Sequence, residues 1–421
     1  MKIVNKAENT KTLFKKNIII IWDTIFCLLI LPILLIVRLV ISYKVVILNS
    51  SRIGHLALEQ DIFLRKKQAG EINNKTHYLF LLYYQPANKQ LLKMLKRKLC
   101  IIDNLTISKL LGRKKILKKF GLFAEMRVYA NEYDLYINTI PSLNFTAIEI
   151  KQGESILSQL GFDTKKDKLV CIVVRDQAYL QATLPGVDFS GHKSRDADIN
   201  NFIPAMEFLI NQGYWVIRMG AKVEKRAAFQ HERFIDYPFS EVRSDFMDIF
   251  LIYVSEFILG TSCGLCDIGQ IFDKPILAVN HVPYWLAPHS KNCLYIPKKL
   301  RNICTKQIAP FYSLPQDIEL SIFDHVNFSK KYNLEYIENS AAEILKATQE
   351  MFNRIKSHWY YSQIEKNMLN QYFSSFWDLN PYASMIKTPI CIFWLNENME
   401  FYDKNFCLHE KNLSQKEILK S

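Results

Sequence analysis

Short, continuous apolar runs alternate with longer amphipathic stretches along most of this chain. That alternation predicts strands exchanging with helices. Strands are expected at 44–48, 78–84, 99–102, 168–174, 214–218, 256–260 and 275–280. Helices are expected at 55–67, 107–120, 149–160, 198–212, 244–255, 265–272 and 340–357. The run Lys168-Leu169-Val170-Cys171-Ile172-Val173-Val174 is apolar at nearly every position, as in parallel sheets buried on both faces. The pattern therefore predicts an α/β chain of two doubly wound, Rossmann-like domains. Boundaries fall at 44–160 and 161–335, with a tail and apolar segment at 1–43 and further helices at 336–421 that cross back to the first domain.

Ile18 to Val37 stands apart. It is apolar except for Asp23 and Thr24, with Lys15 and Lys16 before it and Arg38 after. Its length would just cross a bilayer. Pro32 interrupts it, and basic residues on both sides give no orientation. No small-residue cleavage site of signal-peptide type follows. The segment reads as a membrane anchor, either spanning or bent into one leaflet. A helix buried against the body of the protein is the other reading.

The 421 residues carry 54 Lys and Arg against 41 Asp and Glu, a net charge of +13. Clusters lie at Lys93, Lys96, Arg97 and Lys98, and at Arg113, Lys114, Lys115, Lys118 and Lys119. They suit a membrane surface or a phosphorylated substrate, or are simply solvated helix faces. Nucleic acid is not expected, because no recognition module accompanies the charge. The nine cysteines are scattered, mostly within apolar runs, as reduced thiols are. Cys263 and Cys266 form a C-x-x-C pair, but no second pair stands at metal-ligand spacing. A cytoplasmic setting follows.

The most informative stretch is Glu256 to Asn280. A strand ending at Gly260 meets the small-residue turn Thr261-Ser262-Cys263-Gly264, and a short helix and a second strand follow. Unpaired N–H groups, two hydroxyls and the positive end of a helix dipole make such a turn a seat for a diphosphate. Many α/β proteins carry a similar turn that binds nothing. In parallel sheets the ligand lies beyond the carboxyl ends of the strands. Those ends bring Arg175 with Asp176, and Arg218 with Met219 and Gly220, to the same edge. Arginine is a bidentate partner for phosphate, although a surface ion pair explains either one alone.

Asp196-Ala197-Asp198 is an Asp-x-Asp triplet, a metal signature in one class of nucleotide-sugar enzymes. Here it heads a helix, and capping is the simpler reading. Ser244-Asp245 reads likewise as a cap. In the first domain Arg52, Gly54 and His55 stand where a strand meets its helix, facing the inter-domain cleft of the expected architecture. His55 could deprotonate a hydroxyl, with Glu59 one turn along as the carboxylate alternative, or could serve only local hydrogen bonding.

These residues also carry a resemblance. Ser51-Arg52-Ile53-Gly54-His55, Arg195-Asp196-x-Asp198-Ile199 and Tyr214-x-Val216-Ile217-Arg218-Met219-Gly220 resemble a family of bacterial glycosyltransferases. So do Ser244-Asp245-x-Met247-Asp248-Ile249-Phe250 and Gly260-Thr261-Ser262-x-Gly264-Leu265, together spanning most of 40–290. More distantly, the Gly-Thr-Ser-x-Gly turn looks like the donor loop of fucosyltransferase-type and heptosyltransferase-type enzymes. The resemblance implies a GT-B fold, no metal and no cofactor. It places a nucleotide-sugar in the second domain near Arg175, Arg195, Arg218, Gly220, Gly260, Thr261, Ser262 and Gly264. His55, Glu59 and Arg52 would act on a lipid-linked or growing glycan acceptor in the first domain. The setting it implies is lipopolysaccharide or other surface-polysaccharide assembly at the cytoplasmic face of a bacterial inner membrane. Cys263 departs from the pattern, which more often has a smaller residue there. A nucleotide-sugar epimerase or hydrolase, or a non-catalytic scaffold binding nucleotide-sugar or lipid, would share the fold.

Overall fold

Tyr43–Leu48, buried or half-buried at every position, forms strand β1 of a three-stranded parallel sheet in which β1, β2 (His77–Leu82) and β3 (Cys100–Ile102) lie in that order. This computed structural model describes residues 24–26, 28–126, 132–183, 186–284, 286–314, 325–357, 359–375 and 386–403. The basic tail and residues 18–23 of the apolar run lie outside the described residues. The chain divides into unit 1, Met1–Val128, and unit 2, Tyr129–Ser421. That division falls earlier in the chain than the boundary expected after residue 160.

In unit 1, residues 28–40 form helix α1. After β1 come α2 (Ile53–Gln68), β2 (His77–Leu82), α3 (Lys89–Lys96) and β3 (Cys100–Ile102). α4 (Leu105–Leu111) and α5 (Lys114–Lys119) follow. The single basic helix expected over 107–120 is thus two helices. The break falls at Gly112, where a Cβ would lie 2.5 Å from the Tyr83 ring and 2.7 Å from the Ser108 carbonyl oxygen. Phe123 adds a parallel bridge on the free side of β1. One face of the sheet packs Tyr43, Val45 and Leu81 with Leu31, Leu117 and Leu122. On the other, Phe63 of α2 meets Phe80 edge-on at 5.2 Å. Helices on both faces make unit 1 a small doubly wound layer. Among the described residues, no helix is long and apolar enough to cross a membrane.

Unit 2 opens with α6 (Tyr133–Asn138) and α7 (Ala147–Gln159), the latter held by a Thr146–Glu149 capping box. Gly153 of α7 lies against the Phe250 ring, where a Cβ would stand 2.2 Å away. Six parallel strands follow in the order β6-β5-β4-β7-β8-β9. They are β4 (Lys168–Val173), β5 (Tyr214–Arg218), β6 (Phe234–Asp236), β7 (Phe257–Gly260), β8 (Ile276–His281) and β9 (Leu294–Pro297). Helices α8 (Ala178–Thr183), α9 (Ile203–Asn211), α10 (Asp245–Val254) and α11 (Gly264–Ile271) lie between them. The helix expected over 198–212 is a tight turn, Ile199–Phe202, leading into α9. Every residue of β5, β7 and β8 is buried, which is why these strands read as unbroken apolar runs.

Beyond the sheet, β10 (Lys299–Asn302) pairs antiparallel with β11 (Leu334–Ile337). α12 (His325–Tyr332), α13 (Ala341–Lys356), α14 (Gln363–Ser374), α15 (Ile392–Glu397) and α16 (Met399–Tyr402) complete the described chain. These last helices fall in unit 2, and Lys387, in the segment before α15, pairs with Asp134 of α6 at 2.6 Å. α13, capped by a Ser340–Glu343 box, buries Ile344, Ala347 and Met351. The Cys391 N–H donates to the Tyr295 carbonyl at 3.0 Å, tying the segment before α15 to β9.

Candidate functional site

The strand order fixes where a ligand should lie. From β4 the chain moves outward through β5 and β6, then returns to the other side for β7, β8 and β9. The reversal falls between β4 and β7, so their carboxyl ends open a crevice at the switch point. Val173 and Gly260 pair in register at the rim. Gly260 permits that closeness, since a Cβ would stand 2.9 Å from the Val173 carbonyl oxygen and 3.0 Å from Cys266 Sγ.

The Gly260-Thr261-Ser262-Cys263-Gly264 turn leads into α11 as the sequence suggests, but its hydroxyls face inward. Thr261 is fully buried, and its Oγ1 accepts the Arg175 N–H at 2.9 Å, joining the ends of β4 and β7. Ser262 Oγ shares a hydrogen bond of 2.9 Å with His281 Nδ1 at the end of β8. Burial pushes the His281 pKa down to about 4, so the ring is neutral at pH 7. The expectation that both hydroxyls serve a diphosphate is therefore corrected: they brace the turn. What the turn offers outward is the start of α11, whose first N–H groups have no partner within the helix. Ser262, Cys263, Gly264 and Leu265 are all partly exposed there. The Cys263 thiol is shifted down by a hydrogen bond from Cys266 and by the Cys266 and Leu265 N–H groups.

The arginines are also placed differently from expectation. Arg218 is only 1% exposed, and its Nη1 donates to the Lys225 carbonyl at 2.7 Å and to Asp236 at 3.2 Å. It holds the loop after β5 instead of presenting a free guanidinium. Gly220, two residues on, has φ +149, and a Cβ there would meet Val223 at 2.9 Å. Arg175 Nη1 donates to Asp196 and to the His192 carbonyl, while Gln177 Nε2 reaches the other Asp196 oxygen at 3.0 Å. Arg195 Nη2 lies 2.9 Å from His192 Nδ1 in the same polar loop.

The Asp-x-Asp triplet divides its carboxylates. Asp196 serves Arg175 and Gln177, whereas Asp198 accepts the Asn200 N–H at 2.9 Å and Lys225 Nζ at 3.0 Å. Asp198 is thus the expected cap. Ser244 is too, accepting the Met247 N–H at 3.2 Å. Among the described residues, no group of three His, Cys, Asp or Glu stands where it could hold a metal.

One residue the sequence reading missed is Lys298, just past β9. It is 3% exposed, and its Nζ donates to the Asp196 carbonyl at 2.7 Å. Its own N–H donates to the His281 carbonyl at 3.2 Å, linking it back to the Ser262 turn. Burial lowers its pKa to about 8; Glu338 opposes that shift and Arg175 adds to it. Two cations, Lys298 and Arg175, thus gather around one Asp196 at the carboxyl edge of the sheet. The apolar run Leu294-Tyr295-Ile296 was the available signal for a strand delivering Lys298 there.

A second opening in unit 2 has a volume of about 650 Å³ and is lined by Glu256, Pro275, Leu294, Arg354 and Trp359 among others. Its lining includes the residues that begin β7, β8 and β9, so it lies at the amino ends of the strands, away from the switch point.

In unit 1, Arg52 precedes α2 with extended backbone geometry. His55 Nδ1 and Glu59 Oε1 are 2.7 Å apart, with His55 42% exposed and Glu59 9%. The two alternatives for the base are therefore one pair: the carboxylate fixes the ring and leaves Nε2 as the second nitrogen. Asp61 and Arg65 form a fully buried pair on the same helix, with Nε to Oδ2 at 2.7 Å.

No family model matches this chain, and no curated sequence does. Solved structures are similar at low identity. A glycosyl transferase of family 9 from Veillonella parvula aligns at 10% identity and TM-score 0.46, over 74% of this chain and 98% of that one. The Escherichia coli ADP-heptose lipopolysaccharide heptosyltransferase II aligns at 12% identity and TM-score 0.39, over 75% and 100%. A UDP-N-acetylglucosamine 2-epimerase aligns at 11% identity and TM-score 0.30, over 57% and 78%.

Proposed function

We propose that this protein is a glycosyltransferase whose unit 2 binds a nucleotide-sugar at the β4–β7 switch point. The observation that carries the reading is the convergence of the α11 N-terminus, Lys298 and Arg175 around a crevice closed by the Arg175–Thr261 hydrogen bond. An anion seated there meets oriented N–H groups and two cations. When the bond between the sugar's anomeric carbon and the diphosphate breaks, negative charge grows on the departing oxygen. Preorganised donors stabilise that charge more than they stabilise the ground state. In this reading Lys298 and Arg175 supply the positive charge, and transfer needs no metal. Arg218, Gly220 and Arg195 position the loops around the crevice.

His55 is proposed as the general base for the acceptor hydroxyl. Glu59 holds Nδ1, so Nε2 takes the proton as the new bond to the anomeric carbon forms, and the carboxylate steadies the imidazolium. Arg52 stands beside this pair in sequence and is proposed to orient the acceptor. A growing or lipid-linked glycan of a bacterial surface polysaccharide is the acceptor class consistent with the sequence resemblance.

The test incubates the full chain with a panel of nucleotide-sugars, with and without a lipid-linked glycan fraction, and follows nucleoside diphosphate release. Release that requires the acceptor is the expected result. Release to water alone, or epimerised donor, would overturn transfer in favour of the hydrolase or epimerase reading.

A further inference from the structure

Helix α1 is apolar on both of its faces, and only one of them is covered by unit 1. Leu31 turns inward, 6% exposed, and Leu34 and Leu35 pack with it against Tyr43, Val45, Leu81, Leu117 and Leu122. The Tyr43 hydroxyl donates to the Leu34 carbonyl at 2.8 Å, fixing the helix on the sheet. The opposite stripe runs Leu29, Ile33, Ile36 and Val40, at 70%, 61%, 63% and 85% exposure. These positions are four, three and four apart and so share one helix face. Leu39 beside them is 86% exposed. No charged residue occurs from Thr24 to Val37. A surface helix of a globular protein carries polar residues on its outer face; this one calls for an apolar cover.

Charge identifies the cover. Residues 1–128 hold 24 Lys and Arg against 7 Asp and Glu, a net of +17. Residues 129–421 hold 30 against 34, a net of −4, so the whole basic excess belongs to the unit with the uncovered helix. The cations flank α1 itself. Arg38 near its end donates to the Phe120 carbonyl at 2.6 Å. α5, whose Leu117 sits in the same cluster as Leu31, exposes Lys115 and Lys119. Lys114 and Lys118 pair with Glu125 at 2.6 and 3.4 Å. An aliphatic stripe bordered by lysines matches an acyl layer beneath anionic headgroups. A second copy of this chain would bring the same positive charge to the contact.

We propose that unit 1 docks on an anionic bilayer surface, with α1 lying in the plane of the interface. Leu29, Ile33, Ile36 and Val40 enter the acyl boundary, and Arg38, Lys115 and Lys119 serve the headgroups. The helix lies flat because its inner face is committed to the core of unit 1. This inference stands apart from the donor reading and does not depend on it.

Vesicle flotation of the full chain tests it, using phosphatidylcholine with and without phosphatidylglycerol, against two variants. One is Leu29→Ser/Ile33→Ser/Ile36→Ser, and the other is Lys115→Glu/Lys119→Glu. The parent is expected to float with anionic vesicles and to be released by salt. The lysine variant should bind roughly thirtyfold more weakly. The serine variant should not float, and its melting temperature should match or exceed the parent's, because the exchanged groups are solvent-facing. Flotation of the serine variant equal to the parent's would overturn the proposal, as would equal binding of the parent to neutral and anionic vesicles. A parent that ignores vesicles but self-associates, with the serine variant monomeric by light scattering, would assign the stripe to a second copy instead.

Discussion

The backbone N–H of Arg175 donates to Thr261 Oγ1 at 2.9 Å, so the ends of two strands 86 residues apart are joined at the one place where the sheet reverses its order. The bond turns the Arg175 chain towards Asp196 and sets the turn before α11. Thr261→Val keeps the shape and leaves that buried N–H without an acceptor. A loss of about 2 kcal/mol in urea unfolding is expected. Affinity for a nucleoside diphosphate should fall with it, read by calorimetry on the same preparations.

Gly260→Ala should cost on the order of 2 kcal/mol, because the added Cβ must move backbone at Val173 as well as the Cys266 thiol. Thermal unfolding checks the stability. A drop in the donor-binding enthalpy would show that the strain reaches the α11 turn.

Lys298 gives the binding step a pH dependence. Its folded pKa of about 8 lies below the ordinary 10.5, so burial disfavours its charged form. Folded-state stability therefore rises as pH climbs from 8 to 10.5, where the unfolded chain holds more protons. A diphosphate favours the charged form, so its affinity should fall about tenfold between pH 7 and 9. Lys298→Met should lower affinity at pH 7 and flatten that dependence in calorimetric titrations.

His281 and His289 are both held neutral by burial, at about 4 against an ordinary 6.5. The unfolded chain binds more protons between those values, so each removes stability as pH falls from 6.5 through 4, by at most about 3 kcal/mol. Asp248, raised by burial to about 6 from 3.8, acts in the opposite sense below pH 6. The reading is thus a difference: His289→Gln should lose less stability than the parent between pH 6.5 and 5, measured by urea midpoints.

For the proposed base, His55→Asn should lower kcat by roughly 10²- to 10⁴-fold with little change in donor affinity. Glu59→Gln should lower it less, since the amide cannot steady an imidazolium as the carboxylate does. Unchanged kcat in both variants would remove His55 from the chemistry.

Strands β1, β2 and β3 were expected although they are only partly buried, whereas the fully buried β9 was not. β4, β5, β7 and β8 read as apolar runs because helices cover both sides of them. β6 is a three-residue, half-exposed edge strand with no such signature. The break at Gly112 was hidden because the lysine-rich pattern continues across it, while the reason for the break, the Tyr83 ring, comes from elsewhere in the chain. At the site, the turn and its flanking arginines were visible as residue types at strand ends. Their partners were not. Arg175 meets Asp196 across 21 residues and Lys298 meets it across 102, and no local pattern encodes such pairings. The inward turn of Thr261 and Ser262 depends on burial and on His281, which a hydroxyl in a small-residue turn does not reveal.

The most direct test of the account is isothermal titration of the full chain with a panel of nucleoside diphosphates and their sugars, alongside Lys298→Met and Gly264→Val. One diphosphate and its sugar are expected to bind the parent, Lys298→Met to weaken both, and Gly264→Val to abolish both while leaving the chain folded. Binding that neither substitution alters, or no binding by the well-folded parent, would contradict the placement of a nucleotide-sugar at the β4–β7 switch point.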